Sequence, residues 1–343
     1  MMKKSILAIA SLLFLFSCSG DRNAASHLPK AADYGRLGDV GRELLLDFRD
    51  FSPTAELNSV MVLKGGEILE EYYSNCCGPD FRNICWSATK TFTSTAVGLA
   101  VDDGLLNLDS RVVDILDPSM LPETVSDTLA SLTVYNLLRM SSGLRSEPSN
   151  SSYFNDTNST RSILEKGFQF SPGERFNYNS FNTHLLSIMV SRVTGKNISE
   201  YLKERIFNPL GITDYYWDRT AEGYDIGGFG LYINTESLAK MGQLYLQKGV
   251  WNGKQLISSE WIAQAMSPQI YQKGEPDMES DGGCGYGYQM WCNTRGGAAR
   301  FDGAYGQWVM VCPEKDAVIV ITQHNDRTSH AIKSVWKMIY DRI

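Results

Sequence analysis

Within WSATKTFTSTAVGLAVDDG, residues 86–104, Ser87 stands three positions before Lys90 at the head of an apolar run. A serine hydroxyl is a poor nucleophile until a neighbouring base draws off its proton. An amine can be that base only while uncharged, and burial disfavours the charged form. The run offers burial. Small and hydroxyl residues (Ala88, Thr89, Thr91, Thr93, Ser94, Thr95, Ala96) surround the pair, and Phe92, Val97 and Leu99 leave no wide polar face. Residues three apart on a helix are neighbours, with Cβ atoms about 5–6 Å apart. A helix start also presents free N–H groups and a positive dipole end to negative charge on a reacting oxygen. The spacing therefore predicts acyl transfer through Ser87 with Lys90 as base. Ser-x-x-Lys recurs at Ser237/Lys240 and Ser334/Lys337. There the segment around Lys240 is amphipathic and Lys337 lies near the chain end, so a solvated lysine is expected at both.

The elements that must hold this pair are legible in outline. YGRLGDVGRELLLDFRDF has helical spacing, and SVMVLKGGEILEEYYS alternates around Lys64-Gly65-Gly66 as a hairpin does. Three short strands are expected late in the chain, in YGYQMWCN, YGQWVMVCP and AVIVITQ, followed by a closing helix in SHAIKSVWKMIY. Between the two strand regions the chain reads mainly as helix, with THLLSIMVSRVTG and ESLAKMGQLYLQKG each ended by a glycine suited to a left-handed cap. The expected fold is α+β: an antiparallel sheet built from N- and C-terminal strands and flanked by helices, with a mainly helical subdomain over roughly 105–215. A small-molecule cleft between the two parts is the usual consequence. The Ser/Asn/Thr-rich stretch 146–162 reads equally as a solvated loop or as a rim over that cleft.

The chain has 343 residues, 43% of them hydrophobic, which suffices for one large domain or two modest ones. A net charge of −7 argues against a general nucleic-acid binder. Lys3 and Lys4, an apolar SILAIASLLFLF and then Leu15, Ser17 and Cys18 resemble a lipoprotein signal, 1–17, with lipid attachment to Cys18. Residues 18–33 would then be a tether, and the protein a lipid-anchored one of a bacterial cell envelope, periplasmic or surface-facing. Six further cysteines, Cys76, Cys77, Cys85, Cys284, Cys292 and Cys312, allow fifteen three-bridge pairings, and a cross-strand Cys292–Cys312 bridge is one possibility. There is no CxxC or HExxH, so neither a metal nor another cofactor is expected.

WSATK, followed by LTVYNLLRMSSGL (132–144), SPGERFNYNS (171–180), RVTGK (192–196), NPLGITDYYW (208–217), GGFGLYINTESLAKMGQLYLQKGVWNGKQLIS and GAYGQWVMVCPEKDAVIVIT, resembles the penicillin-recognising serine hydrolases over about residues 35–340. The nearest likeness is to class C β-lactamases and their esterase relatives. The resemblance implies one hydrolase domain over 34–343, with Ser87 as acyl acceptor, Lys90 as base and Tyr178 as proton shuttle. Ser180 would orient substrate or Lys90. It also implies an oxyanion hole from the backbone N–H groups of Ser87 and Ala304. The family's cationic triplet is missing: Phe301-Asp302-Gly303 stands in its place, which assigns Phe301 and Gly303 to the substrate-binding strand. Arg295 and Arg300 lie nearby and could supply the missing charge, though a solvated hairpin is the expected place for both, while His184 and His324 are expected to serve packing. Aromatics near the motifs (Trp86, Tyr153, Phe154, Trp217, Tyr305, Trp308) are mostly expected in the core. The activity implied is hydrolysis of an ester or amide. β-Lactam or D-amino-acid peptide cleavage, acyl transfer, or a lipoprotein that binds without turnover are the alternatives.

Overall fold

The structure, a computed structural model, describes residues 27–145 and 150–343. The expected signal segment and Cys18 lie outside the described residues. Six strands form one antiparallel sheet: β1 (Glu56–Lys64), β2 (Glu67–Tyr73), β3 (Trp291–Cys292), β4 (Ala299–Gly303), β5 (Gln307–Cys312) and β6 (Ala317–His324), in the spatial order β2-β1-β6-β5-β4-β3. The chain's two ends meet at its centre, where β1 pairs with β6 from Glu56↔His324 to Lys64↔Ala317. The β1–β2 hairpin turns at Gly65 and Gly66, whose φ angles of +57° and +83° suit the tight turn a right-handed sheet twist favours.

Five helices matter for the site: α1 (Val40–Phe51), α2 (Thr89–Asp102), α3 (Ser180–Thr194), α4 (Thr235–Leu246) and α5 (Thr328–Met338). Strand alternation sorts the core into two layers. Val60, Val62, Trp308, Met310, Ile319 and Ile321 meet Val40, Leu44 and Phe48 of α1 and Val335 and Trp336 of α5. Met61, Leu63, Phe301, Val309, Val318 and Val320 face α2, α4 and the helical region between. Helix α3 starts with the Asn179 side chain accepting from the Phe181 N–H (2.8 Å) and ends at Gly195, φ +70°.

Four sequence expectations change. YGYQMWCN yields only Trp291–Cys292 as strand, because Gly285 (φ +111°) and Gln289 (φ +64°) bend the chain out of extended geometry. Part of the expected tether is structure: the Ala31 N–H donates to Ile68 O, the Ile68 N–H to Pro29 O, and the Leu28 N–H to Glu236. The described part of 146–162 carries helices Asn150–Asn155 and Ser159–Leu164, with Tyr153 and Thr160 buried. Finally, all six described thiols are free. Ala299 of β4 pairs with both Cys292 and Val311, so β3 and β5 are separated by β4. That is about twice the ~4.8 Å strand spacing, beyond the reach of a disulfide. Among the described residues no helix is long and apolar enough to cross a membrane.

Candidate active site

Ser87 sits in a 3-10 turn, Trp86–Ala88, that runs directly into α2. Trp86 before it adopts φ +47°, a costly conformation for a bulky residue, and packs edge-on to Tyr305 at 5.8 Å. Lys90, one turn on, is 1% exposed. Its Nζ donates to Ser87 Oγ (2.9 Å), Ser180 Oγ (3.0 Å) and Gly228 O (2.7 Å), and lies 5.0 Å from the Tyr178 ring centroid. Ser180 opens α3 directly after the Asn179 cap, so helix initiation fixes where its hydroxyl points. Ser87, Tyr178 and Ala304 all line a cleft of about 610 Å³.

The hydroxyls around the pair act as rivets. Thr91 Oγ1 donates to Gln289 O (3.0 Å), Thr93 Oγ1 to Gly227 O (2.8 Å), and Thr95 Oγ1 meets Tyr245 OH at 2.9 Å. Each is buried, so a helix buried nearly all round is still held in one rotation by directional bonds. Gly227 and Gly228 allow their loop to press on α3: a Cβ at Gly227 would lie 2.4 Å from Thr183 O, and one at Gly228 2.8 Å from Ser180 O. Gln289 completes the clamp. Its Nε2 donates to Leu137 O (3.0 Å) and Leu138 O (2.7 Å), and its Oε1 accepts from Thr183 Oγ1 (2.6 Å).

On the other side β4 leans on the serine turn. A Cβ at Gly303 would stand 2.2 Å from the Cys85 carbonyl oxygen, so only glycine lets the strand come this close. Phe301 is a correction: it is fully buried, its ring 6.0 Å from Phe92 and 5.2 Å from Tyr245, and it packs in the core instead of lining the cleft. Alternation places Ala299, Phe301 and Gly303 on the helix side and Arg300 and Asp302 on the other. Arg300 is likewise no solvated hairpin residue. It is 7% exposed, lines the cleft, pairs with Asp302 (2.6 Å) and donates to Asp281 O (3.0 Å) and Asn293 Oδ1. Arg295 is half-buried at a separate, smaller hollow beside Lys333 and Trp336.

Aromatic rings form the wall by Tyr178: Trp291 stacks on it (5.9 Å, 16°), and Tyr286 meets both edge-on at 6.2 and 4.8 Å. Burial pushes the Tyr286 phenol well above its ordinary range, with Tyr178 and Asp302 adding to the effect, so it stays neutral. Of the aromatics singled out in the sequence, Tyr153, Trp217 and Trp308 are buried, while Phe154 and Tyr305 are exposed. His184 is buried in α3, its pKa lowered to about 3 by desolvation, and its neighbours are Tyr153 and Phe181. His324 is exposed and stacks on Tyr305 at 4.2 Å. Neither lines the cleft. Lys240, expected in solvent, is buried and paired with Glu236 (3.3 Å). Burial alone therefore does not mark Lys90. Its setting among two hydroxyls and a carbonyl at a cleft does. Among the described residues no cluster of His, Cys, Asp and Glu could hold a metal ion.

The Beta-lactamase family model matches residues 57–334. The 6-aminohexanoate-dimer hydrolase of Paenarthrobacter ureafaciens is 26% identical over 294 residues, covering 77% of this chain and 71% of that protein. Among solved structures, EstCE1, described as a hydrolase with promiscuous acyltransferase activity, superposes with a TM-score of 0.73 at 14% identity, over 89% of this chain and 98% of that one. A class C β-lactamase superposes with a TM-score of 0.71 at 14% identity, over 91% and 98%.

Proposed function

Because this chain belongs to the β-lactamase family and is a serine hydrolase, we propose that it cleaves an ester or amide through an acyl-enzyme on Ser87. The observation that carries this reading is the buried Lys90 amine, 2.9 Å from a Ser87 hydroxyl that opens on the cleft. In its unprotonated form Lys90 keeps two N–H donors for Gly228 O and Ser180 Oγ and turns its lone pair to Ser87. The hydroxyl proton passes to Nζ as Oγ attacks the substrate carbonyl. The Ser87 and Ala304 N–H groups hold the oxyanion. Tyr178 returns a proton to the leaving oxygen or nitrogen, and water then releases the acyl group. Ser180 acts here as a positioning residue for Lys90.

The cleft favours a neutral, flat acyl or leaving group over a carboxylated β-lactam. With Phe301 in the core, the cation that β4 presents to the cleft is Arg300. Arg300 is balanced by Asp302, and Glu279 and Asp281 outweigh Lys333 along the rest of the wall. Trp291 and Tyr178 supply an aromatic face. Initial rates on p-nitrophenyl esters and on nitrocefin, for wild type and Ser87→Ala, test the proposal. Ester turnover exceeding nitrocefin turnover, and vanishing in the variant, is expected; efficient nitrocefin cleavage without ester turnover reverses the ranking, and ester turnover that survives in Ser87→Ala refutes the nucleophile. The proposal extends to a lipid on Cys18, for which incorporation of an alkynyl fatty acid in cells, lost in Cys18→Ser, is the check.

A further inference from the structure

Outside the cleft, the loop between β2 and the Asn83–Ile84 strand carries two adjacent thiols that touch. Cys76 Sγ lies 3.3 Å from Cys77 Sγ and 3.4 Å from Ser74 Oγ. The two differ in setting: Cys76 is exposed, whereas Cys77 is 4% exposed and held in a turn by its N–H to Ser74 O (3.1 Å). We infer that Cys76 and Cys77 form a redox-modification site that reacts with low-molecular-weight disulfides and closes into a vicinal disulfide. An accessible thiol with a second thiol in contact behind it is the arrangement of an attacking and a resolving cysteine.

The chemistry balances as two exchanges. The Cys76 thiolate attacks one sulfur of the small disulfide, forming a mixed disulfide and releasing one small thiolate. Cys77, losing its proton, then attacks the Cys76 sulfur, forms the Cys76–Cys77 bond and releases the second small thiolate. Two protein thiols are oxidised and one external disulfide is reduced to two thiols. Local electrostatics agree with the order. Hydrogen bonds from Ser74 and Cys77 draw the Cys76 thiol below its ordinary range, and burial pushes Cys77 above it. The remaining described thiols are poor competitors: Cys85, Cys284, Cys292 and Cys312 are buried, and burial raises Cys292 and Cys312 to about 12. Adjacent Cα atoms are about 3.8 Å apart across a trans peptide, short of the 4.4–6.8 Å usual for a disulfide, so the ring is strained and readily reduced. That marks a reversible modification and not a structural staple.

The test treats the folded protein with oxidised glutathione and maps the products by peptide mass spectrometry, which separates this pair from any adduct on Cys18. The wild-type peptide holding Cys76 and Cys77 should lose two hydrogens, keep no glutathione, and regain its mass with dithiothreitol. Cys77→Ala should stop at one glutathione on Cys76, and Cys76→Ser should leave the peptide unmodified. A wild-type peptide that stays reduced, or that retains glutathione as its final product, overturns the inference, and the wild-type result decides it even where a variant fails to fold.

Discussion

Replacing Gly303 by alanine adds one methyl group where β4 meets the turn that carries Ser87. The new Cβ would stand 2.2 Å from Cys85 O and 2.9 Å from Gln307 Cβ. An ordinary carbon–oxygen contact is roughly 3.3–3.6 Å, so strand and turn must part by about 1 Å. Gly303 has an ordinary φ, which leaves the strain purely steric. Both groups proposed for the oxyanion hole flank this contact: Ser87 lies two residues after Cys85, and Ala304 follows Gly303. A misplacement of about 1 Å at such a site costs on the order of 10²-fold in rate, which is about 2.7 kcal/mol at 1.36 kcal/mol per tenfold. Overpacking itself costs about 1–3 kcal/mol of stability, a fall of several degrees in Tm for a domain of this size. Stopped-flow acylation by a chromogenic ester, read beside a thermal melt, measures both. An acylation rate within about threefold of wild type would refute the claim that this approach sets the oxyanion geometry.

Three further outcomes follow from the same contacts. His184 is held neutral down to about pH 3, whereas an unfolded histidine titrates near 6.5. Its folded pKa is depressed, so below pH 6.5 the unfolded chain takes up a proton that the folded one refuses. Stability from this group is complete above pH 6.5 and falls by about 1.4 kcal/mol per pH unit toward pH 3; urea titrations at pH 7 and pH 5 should show that slope reduced in His184→Phe, and an unchanged slope contradicts it. Gln289→Leu takes the side-chain donor from Leu137 O and Leu138 O, which keep backbone N–H partners, and leaves the Thr183 hydroxyl without its acceptor, so it should cost about 1–3 kcal/mol for that one buried group; a urea midpoint equal to wild type speaks against the clamp. Trp291→Ala removes the ring stacked on Tyr178 and should raise KM for aryl esters about three- to tenfold, from the ~0.5–1.5 kcal/mol of such a pair, with alkyl esters less affected; an equal change for both denies the aromatic wall a role in recognition.

What the sequence disclosed of the site was local or carried by order of motifs. Ser87 and Lys90 lie one turn apart, and the structure brings Ser180 to the same amine, with Tyr178 beside it. Gly228 and Gln289 were not anticipated, because they act through backbone atoms or an amide across 138 and 198 residues of chain. The paired glycines of GGFG were the available signal. Phe301 departs from its expected place for a different reason: motif order carries no strand parity, and parity alone separates apolar Ala299 and Phe301 from charged Arg300 and Asp302. Lys240 shows the limit of amphipathicity, since Glu236 one turn earlier lets a lysine be buried as an ion pair. The sheet was legible from the glycine turn between β1 and β2 and from the short apolar, β-branched runs of β5 and β6, which are buried on both faces. It failed around residues 284–290, where left-handed positions interrupt the strand.

Rapid-quench mass spectrometry of a slow ester, run on wild type and Lys90→Ala, addresses the chemistry most directly. The acyl group should appear on the peptide holding Ser87 within the first turnover, and its formation should slow by about 10²–10⁴-fold without the amine. Turnover with no adduct on Ser87, or acylation at an undiminished rate in Lys90→Ala, would contradict the account.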